Sequence, residues 1–366
     1  MALLIGNVLR HAARYTPRRI AATHDSGGSV TFAELDERAN RAGHALAALG
    51  VGHRDRVAWW GDTSLEALTI FFALAKLGAV FAPVNARLGA DEAATVVGYA
   101  RPRLLLADDE RAGQIDGHGF ELLSHAALDR AASESAATDV VVPRLDDRDP
   151  HVIFFTSGST GRPKGVVLSH RANFLRSFPS LASDEPGGLV CMFPLFHMAG
   201  WSLALGCWQT RQPIHFVGTP DAGSLLGAVE RHRAQRLYLI PAVWARVLEH
   251  GDRLRAQSSL RIADTGTSAT PPELLHAIHD ALPHTITRVF YGSTEAGAAT
   301  VLSSVDVLRK AGSVGLPQPG VDVRLADDGE VCVHSELLMD GYFEQPDETA
   351  DALRDCLLYT SDAADE

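Results

Sequence analysis

Residues 154–165 read Phe-Phe-Thr-Ser-Gly-Ser-Thr-Gly-Arg-Pro-Lys-Gly, and this stretch says most about the fold and its chemistry. The apolar residues 152–155, which lead into it, predict a buried strand. The glycines let backbone N–H groups turn toward one point, and the hydroxyl side chains can donate hydrogen bonds. The stretch therefore predicts a cradle for phosphate oxygens, with a lysine as its point charge. Its candidate binding residues are Thr156, Ser157, Gly158, Ser159, Thr160, Gly161 and Lys164.

Two other interpretations of this stretch fit less well. The P-loop of nucleoside triphosphatases requires Gly-x-x-x-x-Gly-Lys followed by Ser or Thr. Here Pro163 stands at the position of the second glycine, and Gly165 stands where Ser or Thr is needed. A flexible Gly/Ser linker is the second alternative. Apolar runs on both sides, at residues 152–155 and 166–168, argue against a linker.

The stretch resembles the signature of adenylate-forming enzymes, a family that includes acyl-CoA synthetases, luciferases and the adenylation domains of peptide synthetases. Further segments resemble motifs of the same family and follow in the same order. They are residues 30–35 (Val-Thr-Phe-Ala-Glu-Leu), 76–85, 193–198 (Phe-Pro-Leu-Phe-His-Met), 291–295 (Tyr-Gly-Ser-Thr-Glu), 312–320 and 328–342. The resemblance runs from about Leu9 to Arg354. It implies the large N-terminal domain of an acyl-CoA synthetase, an AMP-binding enzyme.

The order of apolar segments predicts an α/β fold with layered, largely parallel sheets flanked by helices. Strand-like runs alternate with helical patterns up to about residue 312, and short strands with Gly and Asp turns follow. We expect residues 1–355 to form the AMP-binding N-terminal domain, with a small β-rich, barrel-like subdomain at about 313–355. The predicted strands are residues 56–60, 80–84, 104–107 and 237–241, and the predicted helices are residues 64–77 and 223–232.

Composition limits the class of protein. The 366 residues are 46% hydrophobic, which suits a globular chain with a sizeable core. A net charge of −12 without a basic patch argues against nucleic acid as a partner. The most apolar stretch, residues 67–84, is interrupted by Lys76, Gly78 and Pro83, so it predicts a buried helix and strand rather than a membrane span. The four cysteines lack metal or disulfide spacing, which favours the cytoplasm.

The family resemblance assigns roles to residues 291–295. It implies that Tyr291 lies against the adenine of ATP, that Thr294 contacts the α-phosphate, and that Glu295 coordinates magnesium. Mg²⁺ prefers one or two carboxylates together with phosphate oxygens and water, so the last role is physically reasonable. We expect Gly292 and Ser293 to belong to the same nucleotide-binding turn. ATP and Mg²⁺ are the implied cofactors, and coenzyme A is the implied co-substrate of a full-length enzyme.

Two further segments resemble the parts of the family that border the acyl substrate. Residues 264–274 stand where the family has a Gly-Gly turn that lines the adenosine and acyl pockets, so Gly266 and Ser268 are candidate nucleotide contacts. Thr267 replaces the second glycine of that turn. His197 occupies the family position beside the carboxylate and is a candidate catalytic residue. Met198, Trp201 and Trp244 are candidates for an apolar acyl tunnel or, equally, for ordinary core packing.

The substrate class follows from an absent charge. Residues 193–201 contain no carboxylate, and a buried ammonium group without a counter-charge would be costly. We therefore expect a carboxylic acid without an α-amino group, such as a fatty or aryl acid.

The last residues depart from the family pattern. The family continues past residue 355 with a ribose-binding Asp, a hinge and a small C-terminal domain that carries a catalytic lysine. Residues 356–366 instead resemble the translation of a transposase sequencing adapter. We expect this tail to be non-native and the gene to continue. The 366-residue chain is then expected to bind ATP weakly, with little complete turnover.

The function predicted from the sequence is ATP-dependent activation of a carboxylic acid to an acyl-adenylate, followed in the full-length enzyme by thioester formation with coenzyme A. Two alternatives remain. One is a non-catalytic module that binds a nucleotide or an acyl-adenylate, and the other is an adenylation enzyme that loads a carrier protein. The sequence leaves the chain length of the acid and the oligomeric state open.

Overall fold

A computed structural model describes residues 2–115, 117–156, 163–177, 187–354 and 357–360. Helices and strands alternate along most of this length. The helices are α1 (Ile5–Tyr15), α2 (Phe32–Ala48), α3 (Leu65–Leu77), α4 (Ala90–Ala100), α5 (Asp109–Ile115), α6 (His125–Ser133), α7 (His170–Arg176), α8 (Met198–Gln209), α9 (Ala222–His232), α10 (Pro241–Leu248), α11 (Gly251–Arg255), α12 (Pro272–Ala281) and α13 (Pro346–Ala352).

The strands fall into three sheets. They are β1 (Ile20–His24), β2 (Ser29–Thr31), β3 (Arg56–Trp60), β4 (Val80–Val84), β5 (Leu104–Ala107), β6 (Leu122–Ser124), β7 (Pro150–Thr156), β8 (Lys164–Ser169), β9 (Leu189–Cys191), β10 (Ile214–Phe216), β11 (Arg236–Tyr238), β12 (Ile262–Gly266), β13 (Ile286–Ser293), β14 (Gly297–Leu302), β15 (Leu316–Pro317), β16 (Val321–Leu325), β17 (Val331–Ser335), β18 (Gly341–Tyr342), β19 (Leu353–Arg354) and β20 (Leu357–Thr360).

Two of the sheets are mixed and mostly parallel. In the first, the strand order is β18-β8-β7-β4-β3-β5-β6, and β4, β3, β5 and β6 run parallel with β7. In the second, the order is β15-β14-β13-β12-β11-β9-β10-β1-β2, with a parallel centre from β13 to β1. The predicted α/β class, with largely parallel sheets flanked by helices, is confirmed.

The third sheet is small and antiparallel. Its strand order is β16-β17-β20-β19, and it accounts for most of the β-rich region predicted near residues 313–355. Strand β20 lies inside the 356–366 segment and pairs with β17. Strand β18 does not join this sheet, since Gly341 and Tyr342 pair with β8 of the first sheet.

Helix α3 forms part of the core that joins the two large sheets. Ser64 caps its first turn by accepting a hydrogen bond from the N–H of Ala67, and Gly78 ends it in the left-handed conformation. Every residue from 67 to 77 is buried. The ring of Phe71 stacks on Trp201 of α8 at a centroid distance of 3.8 Å and meets Phe81 of β4 edge-on. Within the described ranges, no helix is both long and apolar enough to cross a membrane.

Candidate active site

The stretch that the sequence predicts to bind phosphate lies between the two strands of a hairpin in the first sheet. Strands β7 and β8 are antiparallel, and Thr156, the last residue of β7, pairs with Lys164, the first residue of β8. The Thr156 hydroxyl donates a hydrogen bond to the Lys164 carbonyl over 3.5 Å. Residues 157–161, which carry the other predicted phosphate contacts, lie outside the described residues. The two strands therefore fix where the loop leaves and re-enters the sheet.

A late segment of the chain lies against this hairpin. Tyr342 of β18 pairs with Val166 of β8, and the N–H of Phe343 donates a hydrogen bond to the Gly165 carbonyl. Nζ of Lys164 lies 4.9 Å from the centroid of the Tyr342 ring, which is the geometry of a cation–π contact. The lysine of the first motif is therefore held next to an aromatic residue of the last one.

The same tyrosine connects Lys164 to the second motif. The Tyr342 hydroxyl donates a hydrogen bond to Oε1 of Glu295 over 3.2 Å. Burial, together with the Glu295 carboxylate, raises the pKa of Tyr342, so its hydroxyl remains a donor. Within the described part of the chain, Oε2 of Glu295 has no hydrogen-bond partner, and so it is available to a ligand.

These residues fit a magnesium–nucleotide complex better than a metal held by protein alone. No group of three or more His, Cys, Asp or Glu side chains in the described ranges could hold a metal ion. A Mg²⁺ ion at Glu295 would therefore need phosphate oxygens and water for its other ligands, as Mg²⁺ commonly does.

Arg176, a residue that the sequence did not single out, holds the loop that carries Thr294 and Glu295. From the end of α7, its Nη1 donates to the carbonyl of Thr294 over 2.8 Å, and its Nη2 donates to the carbonyls of Glu295 and Leu337. Burial lowers the pKa of Arg176 to about 10, which still leaves it charged at neutral pH. The N–H of Met339 also donates to the Glu295 carbonyl, over 2.8 Å. The backbone of this loop is therefore fixed from two sides.

Two glycines of the site allow strands to approach closely. A Cβ atom on Gly292 would lie 1.9 Å from the carbonyl oxygen of Gly297, and one on Gly266 would lie 2.2 Å from that of Phe290. Only glycine fits at either position. Ser293 closes the turn between β13 and β14 by accepting a hydrogen bond from the N–H of Ala296. Tyr291 and Gly292 line a cavity, which is described below.

The segment after Gly266 departs from easy backbone geometry. Thr267, which stands where the family has glycine, has a φ of 69°, in the left-handed region that β-branched residues rarely adopt. Thr267 lines the cavity, whereas Ser268 is exposed and its carbonyl accepts a hydrogen bond from the Thr270 hydroxyl. Of the two candidate nucleotide contacts in this segment, Gly266 is held by close packing against the Phe290 carbonyl, and Ser268 is held by its hydrogen bond with Thr270.

His197 caps helix α8. Its Nδ1 accepts a hydrogen bond from the N–H of Ala199 over 3.1 Å, so the neutral ring carries its proton on Nε2. Surrounding protein atoms lower the pKa of His197 by displacing water, although the residue keeps part of its surface exposed. The next two residues, Met198 and Ala199, line the cavity. His197 thus lies beside the cavity with a neutral N–H donor.

A cavity of about 220 Å³ separates α8 from one face of the second sheet. Because side chains alternate along a strand, residues at every second position share this face. Leu189, Arg236, Ile262, Arg288 and Phe290 fall in this pattern across four neighbouring strands. Of the residues that the sequence proposed for an acyl tunnel, Met198 lines the cavity. Trp201 and Trp244 lie fully buried in core clusters instead.

The wall of the cavity contains a buried ion cluster that no sequence motif indicated. Asp264 is fully buried and accepts two hydrogen bonds from Arg288, at 2.8 and 2.9 Å, and one from Nε of Arg236 at 2.7 Å. Both arginines line the cavity. Asp264 lies 28 positions after Arg236 and 24 positions before Arg288 in the sequence, so only the pairing of β11, β12 and β13 brings the three together.

Comparison with known proteins shows the family of the chain. Residues 9–343 match the family described as AMP-binding enzyme. The chain is 33% identical over 374 residues to a feruloyl-CoA synthase from Amycolatopsis sp, covering 96% of this chain and 74% of that protein. It is 31% identical to the long-chain-fatty-acid–CoA ligase FadD13 from Mycobacterium tuberculosis, covering 98% and 75%.

A solved structure gives the same picture of the fold. The inhibitor-bound N-terminal domain of FACL13 from Mycobacterium tuberculosis superimposes with a TM-score of 0.91 and 28% identity, and the match covers 98% of this chain and 96% of that one. The sequence relatives named above are CoA ligases. The chain therefore belongs to the AMP-binding family of adenylate-forming enzymes.

Proposed function

We propose that the chain is the large N-terminal domain of a cytoplasmic acyl-CoA synthetase, which activates a carboxylic acid with ATP. One observation carries this proposal: Tyr342 connects Lys164 with Glu295 beside a cavity that Tyr291 and Gly292 line. Adenylation requires a cation and a carboxylate for the magnesium nucleotide, together with a cavity for the organic acid. The free thiols of Cys191, Cys207 and Cys332 fit a reducing compartment.

The reaction joins two anions, so the site must neutralise phosphate charge and align the reactants. Lys164 and Thr156, with residues 157–161, would hold the β- and γ-phosphates. Glu295 would hold Mg²⁺, which neutralises phosphate charge when bound. Tyr291 would lie against the adenine, with Gly266, Ser268, Gly292 and Ser293 around the nucleoside. Thr294 would contact the α-phosphate at the point where the carboxylate oxygen attacks and pyrophosphate leaves.

The cavity supports an acid without an amino group. Among the described residues that line it, none is Asp or Glu. A bound ammonium group would therefore lack a counter-charge, and its desolvation would be costly. His197 directly precedes two residues that line the cavity, and its neutral ring carries the proton on Nε2, so it would donate a hydrogen bond to the substrate carboxylate through Nε2. In the full-length enzyme, the acyl-adenylate would then pass to coenzyme A.

The proposal is tested in two stages. First, binding of Mg-ATP to the 366-residue chain is measured by isothermal titration calorimetry for the wild type, Lys164→Ala and the control Lys310→Ala, whose lysine lies at an exposed site. We expect Lys164→Ala to weaken binding about tenfold or more and Lys310→Ala to leave it unchanged. Equal affinities in all three proteins would contradict the phosphate-binding role of Lys164.

Second, the source DNA is read beyond codon 355, and the protein from the extended gene is assayed for ATP–pyrophosphate exchange with fatty and aryl acids. Exchange that depends on the added acid and is lost in Glu295→Gln supports the ligase. Nucleotide binding without exchange for any acid would favour a non-catalytic binding module. Acyl transfer to a carrier protein but not to coenzyme A would favour the carrier-loading alternative.

A further inference from the structure

The cavity has two chemically different ends. Tyr291 and Gly292 lie at the carboxyl ends of the parallel strands, where the nucleotide motifs meet. At the opposite end lie Leu189, Arg236 and Ile262, which are in register with one another. Along β12, Gly266 lies four positions after Ile262, or about 13 Å of strand. An acid with its carboxylate at the nucleotide end would extend toward Arg236.

The far end of the cavity carries an excess of positive charge. Within the described residues, Asp264 is the single carboxylate that both Arg236 and Arg288 contact, so two guanidinium groups face one carboxylate. No carboxylate lines the cavity in the described part of the chain. Among these residues the cluster therefore keeps about one unbalanced positive charge next to a partly apolar space, which is unfavourable unless water or a ligand compensates it.

Arg236 keeps hydrogen-bond donors that no described residue accepts. Only its Nε donates a hydrogen bond to a described residue, namely to Asp264, and its two Nη groups have no acceptor in the described part of the chain. The side chain is 29% exposed and lines the cavity. Two Nη groups of one guanidinium are spaced to bind both oxygens of a carboxylate. Arg288, in contrast, donates hydrogen bonds to Asp264 from both Nε and Nη2, and its side chain is only 9% exposed.

The wall between the two ends is largely apolar. Leu203 and Phe290 line it, and Met198 adds an adaptable side chain. The lining therefore matches a molecule with a polar group at each end and an apolar middle.

We infer that the substrate is a dicarboxylic acid, activated at one carboxylate and held by Arg236 at the other. This inference rests on the proposed function, since it assumes that the cavity holds the acid. A simple alkyl chain of the same length would be rejected, because its methyl end would cover the Nη groups of Arg236 without giving them an acceptor. Arg236 would thus favour a diacid by binding its second carboxylate, and it would disfavour a monoacid because its Nη groups would lose water without gaining an acceptor.

The test uses the 366-residue chain with Mg²⁺ and a non-hydrolysable ATP analogue. Binding of the analogue is measured first, then binding of straight-chain diacids of six to twelve carbons, each paired with the monoacid of the same carbon number. We expect at least one diacid to bind tenfold or more tightly than its monoacid. Arg236→Met should abolish this preference, and Arg246→Met, which removes an exposed arginine that does not line the cavity, should preserve it.

The outcomes distinguish failure of the proposed function from failure of the dicarboxylate inference alone. If the analogue and all of the acids fail to bind, the proposed function is wrong, and the dicarboxylate inference falls with it. If the analogue binds but every monoacid matches or exceeds its diacid, only the inference is overturned. The comparison of each diacid with its monoacid uses the wild type alone. The inference can therefore be refuted even if Arg236→Met misfolds. A preference that persists in a folded Arg236→Met protein would also overturn it.

Discussion

The hydroxyl of Tyr342 in the first sheet donates a hydrogen bond across 3.2 Å to the carboxylate of Glu295, which lies in the turn between β13 and β14 of the second sheet. The aromatic ring of the same residue lies beneath Nζ of Lys164. One side chain therefore sets the spacing between the cation of the first motif and the carboxylate of the second.

Replacement of Tyr342 by Phe removes the hydrogen bond and keeps the ring. A hydrogen bond to a charged group contributes about 1.5–3 kcal/mol, so we expect Mg-ATP to bind about tenfold more weakly. Calorimetric titration at several Mg²⁺ concentrations measures this change. Tyr99→Phe, at an exposed tyrosine on α4, is the matched control and should bind Mg-ATP as the wild type does. An unchanged affinity in Tyr342→Phe would show that Glu295 needs no positioning.

Replacement of Arg176 by Met leaves the carbonyls of Thr294, Glu295 and Leu337 without this donor. Unsatisfied buried groups cost about 1–3 kcal/mol each, so we expect the free energy of unfolding to fall by about 3 kcal/mol and ATP affinity to fall with it. Denaturant titration and calorimetry give the two readouts. Arg171→Met lies on the same helix and breaks an exposed pair with Glu336, so its effect should stay below about 1 kcal/mol. Equal losses in both variants would contradict the role of Arg176.

Thr267 and Gly266 are adjacent, and we expect opposite effects from exchanging their residue types. Thr267→Gly relieves a left-handed backbone that costs a β-branched residue about 1–3 kcal/mol, so the free energy of unfolding should rise by about 1 kcal/mol. Gly266→Ala should lower it by more than about 2 kcal/mol, because the added Cβ would clash with the Phe290 carbonyl. Denaturant unfolding of the two variants decides the point. Stabilisation by Gly266→Ala would refute the close packing described for this turn.

Because three histidines are buried, we expect the free energy of unfolding to fall in acid. Burial lowers the pKa of His170 and of His215 to about 3, and it holds the pKa of His151 well below its usual value. In the unfolded chain, each ring titrates near pH 6.5. Between about pH 6.5 and 3 the unfolded state binds protons that the folded state refuses, so stability falls as the pH drops through this window. Above pH 6.5 these groups contribute no pH dependence.

His215 offers the simplest test of this effect, because its Nδ1 contacts the hydroxyl of Thr23 and glutamine can replace that contact. Each refused proton contributes a slope of about 1.4 kcal/mol per pH unit. His215→Gln should therefore reduce the slope of unfolding free energy between about pH 6 and 4 by that amount. His276→Gln, at an exposed position, should leave the slope unchanged. Identical slopes in His215→Gln and the wild type would contradict the prediction.

Local pattern was enough to place several elements of the fold. The Ser64 cap, the apolar run after it and Gly78 fix α3 without help from distant residues, and the predicted helix matches Leu65–Leu77. Strands β3, β4 and β5 likewise match the predicted apolar runs. The apolar pattern predicts a strand at residues 237–241, whereas β11 begins one residue earlier and ends three residues earlier. Pro241 instead begins α10, because proline is well suited to the first turn of a helix.

Long-range partners explain what the sequence could not reveal. The Arg236–Asp264–Arg288 cluster depends on the register of three strands, in which Asp264 lies directly opposite Arg288 and Arg236 lies two positions back on β11. No spacing within one segment encodes that register. The sequence gives no signal for the role of Arg176 either, because its acceptors are backbone carbonyls from two distant loops. Trp201 was a candidate for the tunnel because of its position after His197, but α8 turns it toward Phe71.

The pairing of β18 with β8 has a consequence for biosynthesis. Strand β8 carries Lys164 on the outer edge of the β7–β8 hairpin, and its neighbour on that side is a segment that leaves the ribosome much later, at Gly341 and Tyr342. Until then, the nascent chain presents an unpaired strand edge of apolar residues, which is a site for misassociation between chains. Any shortened gene that ends before residue 341 would make that transient edge permanent, so its product should aggregate.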